Sequence, residues 1–260
     1  MTATSLTVGR QHLAEHRRMI AARAIAASMA GALPLPVVDD WLASRIRRGI
    51  IRRIAAARGV DIDDDAVAAI ADGDAAPPSF AQIAGGTFLF KVLSRSWRKL
   101  MLAYVAADRA RAAAKTFSVA TLFDHYAARL HVGLGVDAAT GRRLRRLMDE
   151  CIDDTEGSIG AAVFRKAIAA AARASVRAPA ELIDAVTGGR LRRLLSAGAD
   201  EVVAVAEIDS AIERSMDEEA GFLARAARAV DAQLSAEDNP YLDDLVTCFE
   251  SRWRQEVGHA

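Results

Sequence analysis

The chain has 260 residues, 52% of them apolar but only 5% aromatic, with 34 basic and 34 acidic side chains and therefore no net charge. That length allows a sizeable core in one domain or two, and an apolar excess made mostly of alanine favours close-packed helices over sheets. A neutral total speaks against a nucleic-acid binder led by a basic surface, so an all-α protein of helical hairpins packed as a bundle is predicted.

The charges are unevenly placed. Residues 1–60 hold 10 basic and 3 acidic side chains, 61–80 none and 6, 81–150 12 and 5, and 151–260 12 and 20. A basic first half thus faces an acidic second half. In chain order, residues 1–19 form an N-terminal arm whose first nine residues lack helical pattern. A helix is expected from about Arg10 to Leu33, with Met19, Ile25, Met29 and Leu33 among alanines. Pro34 and Pro36 should end it, because proline fixes φ and has no N–H, and Asp39 or Asp40 should cap the next helix.

Over residues 40–58, Leu42, Ile46, Ile50 and Ile54 recur every four residues beside a second stripe of Arg45, Arg48 and Arg52, the pattern of an amphipathic helix that Gly59 ends. The aspartates of 61–65 open a short helix at about 64–71. They lack the alternating ligands, central glycine and closing glutamate of a calcium loop. Pro77-Pro78 marks a turn. Helices are then expected over 85–107, where Lys91, Arg95, Arg98 and Lys99 lie between bulky apolar residues, and over 108–130, with Gly133 and Gly135 as the break. Beyond the break, 137–152, 158–176, 180–196, 200–234 and 238–257 read helical. The fourth of these, if continuous, would be about 50 Å long.

The apolar run of residues 24–38 is shorter than the roughly 20 residues needed to span a bilayer and contains both prolines. It suits either a buried hairpin or a shallow interfacial insertion. Cys151 and Cys248 form no CxxC or metal cluster and read as free thiols of a reducing compartment. With no secretory signal at the start, a cytoplasmic location follows, at most peripheral to the inner membrane.

The order and spacing of Ala-Leu-Pro-Leu-Pro-Val-Val-Asp (32–39) and Ile-Ile-Arg-Arg-Ile-Ala-Ala-Ala-Arg-Gly-Val-Asp (50–61) resemble the YcjF-like helical family. These bacterial domains of unknown function are often joined to Era-like GTPases. A second, weaker block runs from Ala112 to Tyr126, so the resemblance covers about residues 20–131. Trp41, Arg45 to Arg48, and Arg58 depart from the family pattern, and no GxxxxGK[ST] loop accompanies it. It implies a stand-alone double helical hairpin over 20–135, with 136–260 as an acidic helical extension.

His12-Leu-Ala-Glu15-His16 matches the inverted zinc motif HxxEH, in which two histidines one turn apart hold a metal. No glutamate follows until Glu150 to complete the set, so a solvated helix face is the preferred reading. Asp124-His125 and His131 do not share a helix face. There is no GxSxG elbow. The basic clusters 142–146 and 190–193 carry leucines at helical spacing and read as ordinary amphipathic helices. No catalytic residue, cofactor or metal site is expected.

The sequence therefore predicts a non-enzymatic helical module. Its basic amphipathic face, formed by Arg45, Arg48, Arg52, Lys91, Arg95, Arg98 and Lys99, would bind an anionic membrane surface or a protein partner, with homo-oligomers allowed and nucleic acid excluded. The competing reading is a soluble helical scaffold or self-assembling subunit without lipid contact.

Overall fold

The computed structural model describes residues 11–30, 38–75, 97–133, 135–155, 157–174, 201–218, 221–236 and 239–258. These form nine α-helices and one π-helical turn: α1 (Gln11–Ala30), α2 (Val38–Arg58), α3 (Asp64–Asp72), α4 (Trp97–His125), the π turn (Tyr126–Leu130), α5 (Ala138–Asp154), α6 (Gly157–Ala174), α7 (Glu201–Asp217), α8 (Phe222–Leu234) and α9 (Tyr241–Gly258). The protein is all-α, and among the described residues the one β-type contact is an isolated bridge between Ile62 and Val136.

Helix α4 is the axis of the bundle. Against it pack α1, α6, α2 and α5, with α9 and α3 at its margins, while α8 fills the angle between α1 and α6. Among the described residues one hydrophobic core cluster takes in residues from Leu13 to Phe249. The contact is built from small residues on α1, where Ala21, Ala22, Ala24, Ala26 and Ala27 are all buried. Their lack of side-chain bulk lets neighbouring helices approach from several directions. Residues 24–30 of the apolar run therefore lie in, or packed against, the protein's own core. Among the described residues no helix is long and apolar enough to cross a membrane.

The stripe of α2 is buried as its spacing predicts: Leu42, Ile46, Ile50 and Ile54 are all nearly inaccessible. The helix ends in a Schellman motif. Val60 N–H donates to the Ala55 carbonyl at 2.9 Å and Gly59 N–H to that of Ala56 at 3.3 Å, and Gly59 takes the φ of 66° that this end requires. Next, Val136 N–H donates to the Asp61 carbonyl at 2.9 Å and Asp63 N–H to the Val136 carbonyl at 3.1 Å. This pins the α2–α3 turn to the α5 entrance, where the Asp137 side chain accepts from Thr140 N–H at 2.8 Å as an N-cap.

Several expectations are corrected. Helix α2 already begins at Val38, so Asp39 and Asp40 fall within its first turn and do not precede it. Pro34 and Pro36 lie outside the described residues. No break separates 107 from 108: Asp108 sits mid-helix and pairs with Arg111 at 3.3 Å, one turn on along the surface of α4. The long helix expected over 200–234 is two, α7 and α8, with Gly221 as the N-cap of the second. Finally, Cys151 of α5 and Cys248 of α9 are joined in a disulfide across 97 residues, with Cα atoms 5.8 Å apart. They are not free thiols, and cysteine usage no longer argues for a reducing compartment.

Candidate functional site

Each α2 arginine expected to form a binding face is engaged by a carboxylate of the same chain. Arg45 pairs with Glu201 at the start of α7, and its guanidinium lies 5.9 Å above the Trp41 ring. Trp41 Nε1–H also donates to Glu201, at 3.3 Å. Burial lowers the Arg45 pKa, and Glu201 opposes that shift. Arg48 donates to Asp72 at 2.7 Å, and Arg52 to Asp64 at 2.8 Å. Lys91 and Arg95 lie outside the described residues. Arg98 and Lys99 fall in the first turn of α4. The 142–146 cluster behaves as an amphipathic helix, with Leu144 and Leu147 buried and Arg143 and Arg146 paired with Glu256 of α9.

The densest polar constellation lies elsewhere, where the start of α1, the end of α2, the end of α4 and the middle of α9 meet. The HxxEH histidines do not form a solvated face, because both turn toward α4. His16 Nδ1 lies 3.0 Å from Asp124 Oδ1, and His12 Nε2 lies 3.1 Å from His125 Nδ1. Asp124 is completely buried and His125 nearly so. Arg58 closes the cluster from α2, donating to Asp124 through Nε at 2.8 Å and Nη2 at 3.2 Å, to Glu15 at 3.0 Å and to the His12 carbonyl at 2.9 Å. The hydrogen bonds that Arg58 donates to Asp124 raise the Arg58 pKa, against the pull of burial.

On the far side of His125, Glu250 of α9 lies 2.9 Å from Nε2. Immediately after His125 the helix widens into the π turn, closed by His131 N–H donating to the Tyr126 carbonyl at 2.8 Å. Such turns recur at functional positions. Tyr126 packs edge-on against Trp253 at 5.0 Å, and its hydroxyl meets His131 Nδ1 at 3.2 Å. Burial raises the Tyr126 pKa.

Asp124, Arg58, His12, His16 and His125 contact one another across α1, α2 and α4, with Glu250 of α9 beside them, so the arrangement joins these four helices. Among the described residues no group of three or more histidine, cysteine or carboxylate side chains is arranged to hold a metal ion. Spacing could not reveal the cluster, because its two halves are 108 and 113 residues apart. The local signals were the HxxEH spacing of His12, Glu15 and His16 and the adjacency of Asp124 and His125. Comparison with models of protein families, with curated proteins and with solved structures finds no match for this chain.

Proposed function

We propose that this chain is a non-enzymatic helical scaffold that works through contact with protein, a second copy of itself included, and not through lipid. The observation that carries the reading is the engagement of Arg45, Arg48 and Arg52 by Glu201, Asp72 and Asp64. A basic face that attracts anionic lipid needs uncompensated charge within a Debye length of the surface. On α2, Arg45 and Arg52 each meet a carboxylate of the same chain and Arg48 shares Asp72 with Arg47, which lowers the charge that face presents. The continuous core and its alanine-packed helices suit a rigid frame, and the YcjF-like pattern of residues 20–131 suits a module without its own nucleotide chemistry.

The test is co-sedimentation of the purified protein with neutral and anionic liposomes at low and high salt. No pelleting under any of the four conditions is expected. Pelleting with anionic vesicles that disappears in high salt would replace this reading with a peripheral basic face. Pelleting that survives salt would replace it with an inserted apolar segment.

A further inference from the structure

A cleft of about 180 Å³ opens between α2, α3, α4 and α5. Its apolar lining residues Ile50, Ile51 and Val119 are buried, so what it offers a ligand is mainly polar, from Arg47, Lys115, Thr116 and Arg145. Two carboxylates organise the cations. Asp72, whose side chain is 1% exposed, accepts from Arg47, Arg48 and Ser44, each at 2.7 Å, so both of its oxygens are engaged. Asp149 pairs with Arg145 at 2.8 Å and with Lys115 at 3.0 Å. Burial alone would raise the Asp149 pKa, but Arg145 and Lys115 outweigh it and hold the carboxyl below its ordinary range.

Four cations thus share two carboxylates, which leaves a surplus of two positive charges around one small cleft. A cleft lined by one sign of charge concentrates the field inside it. The cations are also held in place. Arg145 is 12% exposed and donates a second bond, through Nη1, to the Ile70 carbonyl at 2.7 Å. Its Nη2 and the Nη1 of Arg47 make no hydrogen bond within the described residues and remain as donors. With the Lys115 ammonium and the Thr116 hydroxyl, the lining carries donors from α2, α4 and α5. Donors spread over separate helices suit a tetrahedral oxyanion, whose oxygens accept charge-assisted bonds in several directions, better than a planar carboxylate.

We infer that this cleft is a binding site for phosphate, free or as the phosphoryl group of a small ester, held by Arg47, Lys115 and Arg145 with the Thr116 hydroxyl beside them. A phosphoryl group carries a charge of about −1.5 to −2 at neutral pH, which matches the surplus. At roughly 30 Å³ per water-sized group the space takes about six such groups, enough for one phosphate and no larger body. The remainder of an ester would lie outside the mouth.

The probe is inorganic phosphate, titrated calorimetrically into the full-length protein at neutral pH, with acetate and methyl phosphate as comparison anions. Phosphate should bind with a millimolar or smaller Kd, weaken as salt is raised, and exceed acetate at least about tenfold. Methyl phosphate separates the two sources: an affinity equal to or above that of phosphate marks an ester as the ligand, and one well below it marks the free ion. Lys115 is half exposed and Asp149 keeps Arg145, so Lys115→Gln should fold with an unchanged melting temperature. It should weaken phosphate at least about fivefold, whereas Lys115→Arg should retain it. Arg18→Gln makes the same change in net charge at the α1–α8 contact, where Arg17 still holds Asp231, and should leave the affinity unchanged. Three results would each overturn the proposal: no heat up to about 20 mM phosphate, acetate binding as tightly as phosphate, or Lys115→Gln binding phosphate no more weakly than Arg18→Gln.

Discussion

At Gly141, helix α5 comes so close to α3 that an added β-carbon would stand 2.9 Å from Ala66 Cα and 3.0 Å from its carbonyl oxygen. Both are backbone atoms, so no rotamer change relieves the contact and one helix must move. Gly141→Ala gains about 1 kcal/mol of helix propensity, yet forcing apart a packed contact costs about 1–3 kcal/mol, and a net loss is expected. Urea denaturation measures it, and a midpoint equal to or above that of the parent would mean that the two helices are not in van der Waals contact at this point. Nothing in the local sequence singles out this glycine from the 17 in the chain. The cysteines are alike in this: helical spacing places a residue on a face, but the partner across the bundle comes from packing far along the chain.

Among the elements, those with a strong bulky stripe were legible and those built on alanine were not. The spacing of Leu42, Ile46, Ile50 and Ile54 predicted the buried face of α2, because large side chains at one angular position leave few ways to pack. Helix α1 has no such contrast, since alanines are buried around much of its circumference and even Arg23 is enclosed, with 1% of its side chain exposed. Arg23 reaches across to α7, donating to Asp209 at 2.5 Å with Glu213 at 3.6 Å, while its Nε has no partner. An incompletely satisfied buried cation fixes how two helices dock more than it stabilises them. Removing only the anion should therefore be worse than removing the cation. Asp209→Asn is expected to lower stability by about 2–4 kcal/mol, and Arg23→Met, which keeps the volume and drops the charge, by less than about 1 kcal/mol. If thermal unfolding showed the reverse order, the pair would be a net contributor and the specificity argument would be wrong.

Across the whole molecule, the sequence divides into a basic half and an acidic half, and the two meet within one chain. Arg17 and Arg18 hold Asp231, Arg23 and Arg53 hold Asp209 and Glu213, and Arg45 holds Glu201. Complementary potentials orient such a contact, but the apolar core beneath it carries most of the free energy. The carboxylates nevertheless make the assembly sensitive to acid, and Asp231 shows the sign. Burial alone would raise its pKa, but hydrogen bonds and charge from Arg17 and Arg18 outweigh this and leave it below the ordinary carboxylate value. A folded-state pKa below the unfolded one means that the folded state resists protonation. The contribution is complete above the unfolded value of about 3.9 and is lost as pH falls through the lower folded value. The parent protein should therefore lose stability below roughly pH 4 more steeply than Asp231→Asn, which is already weakened at neutral pH and has no proton to take up at this position. Denaturation midpoints at neutral pH and on both sides of that value compare the two. Parallel curves would mean that Asp231 protonates equally easily in the unfolded chain, and that the α1–α8 contact does not depend on its charge.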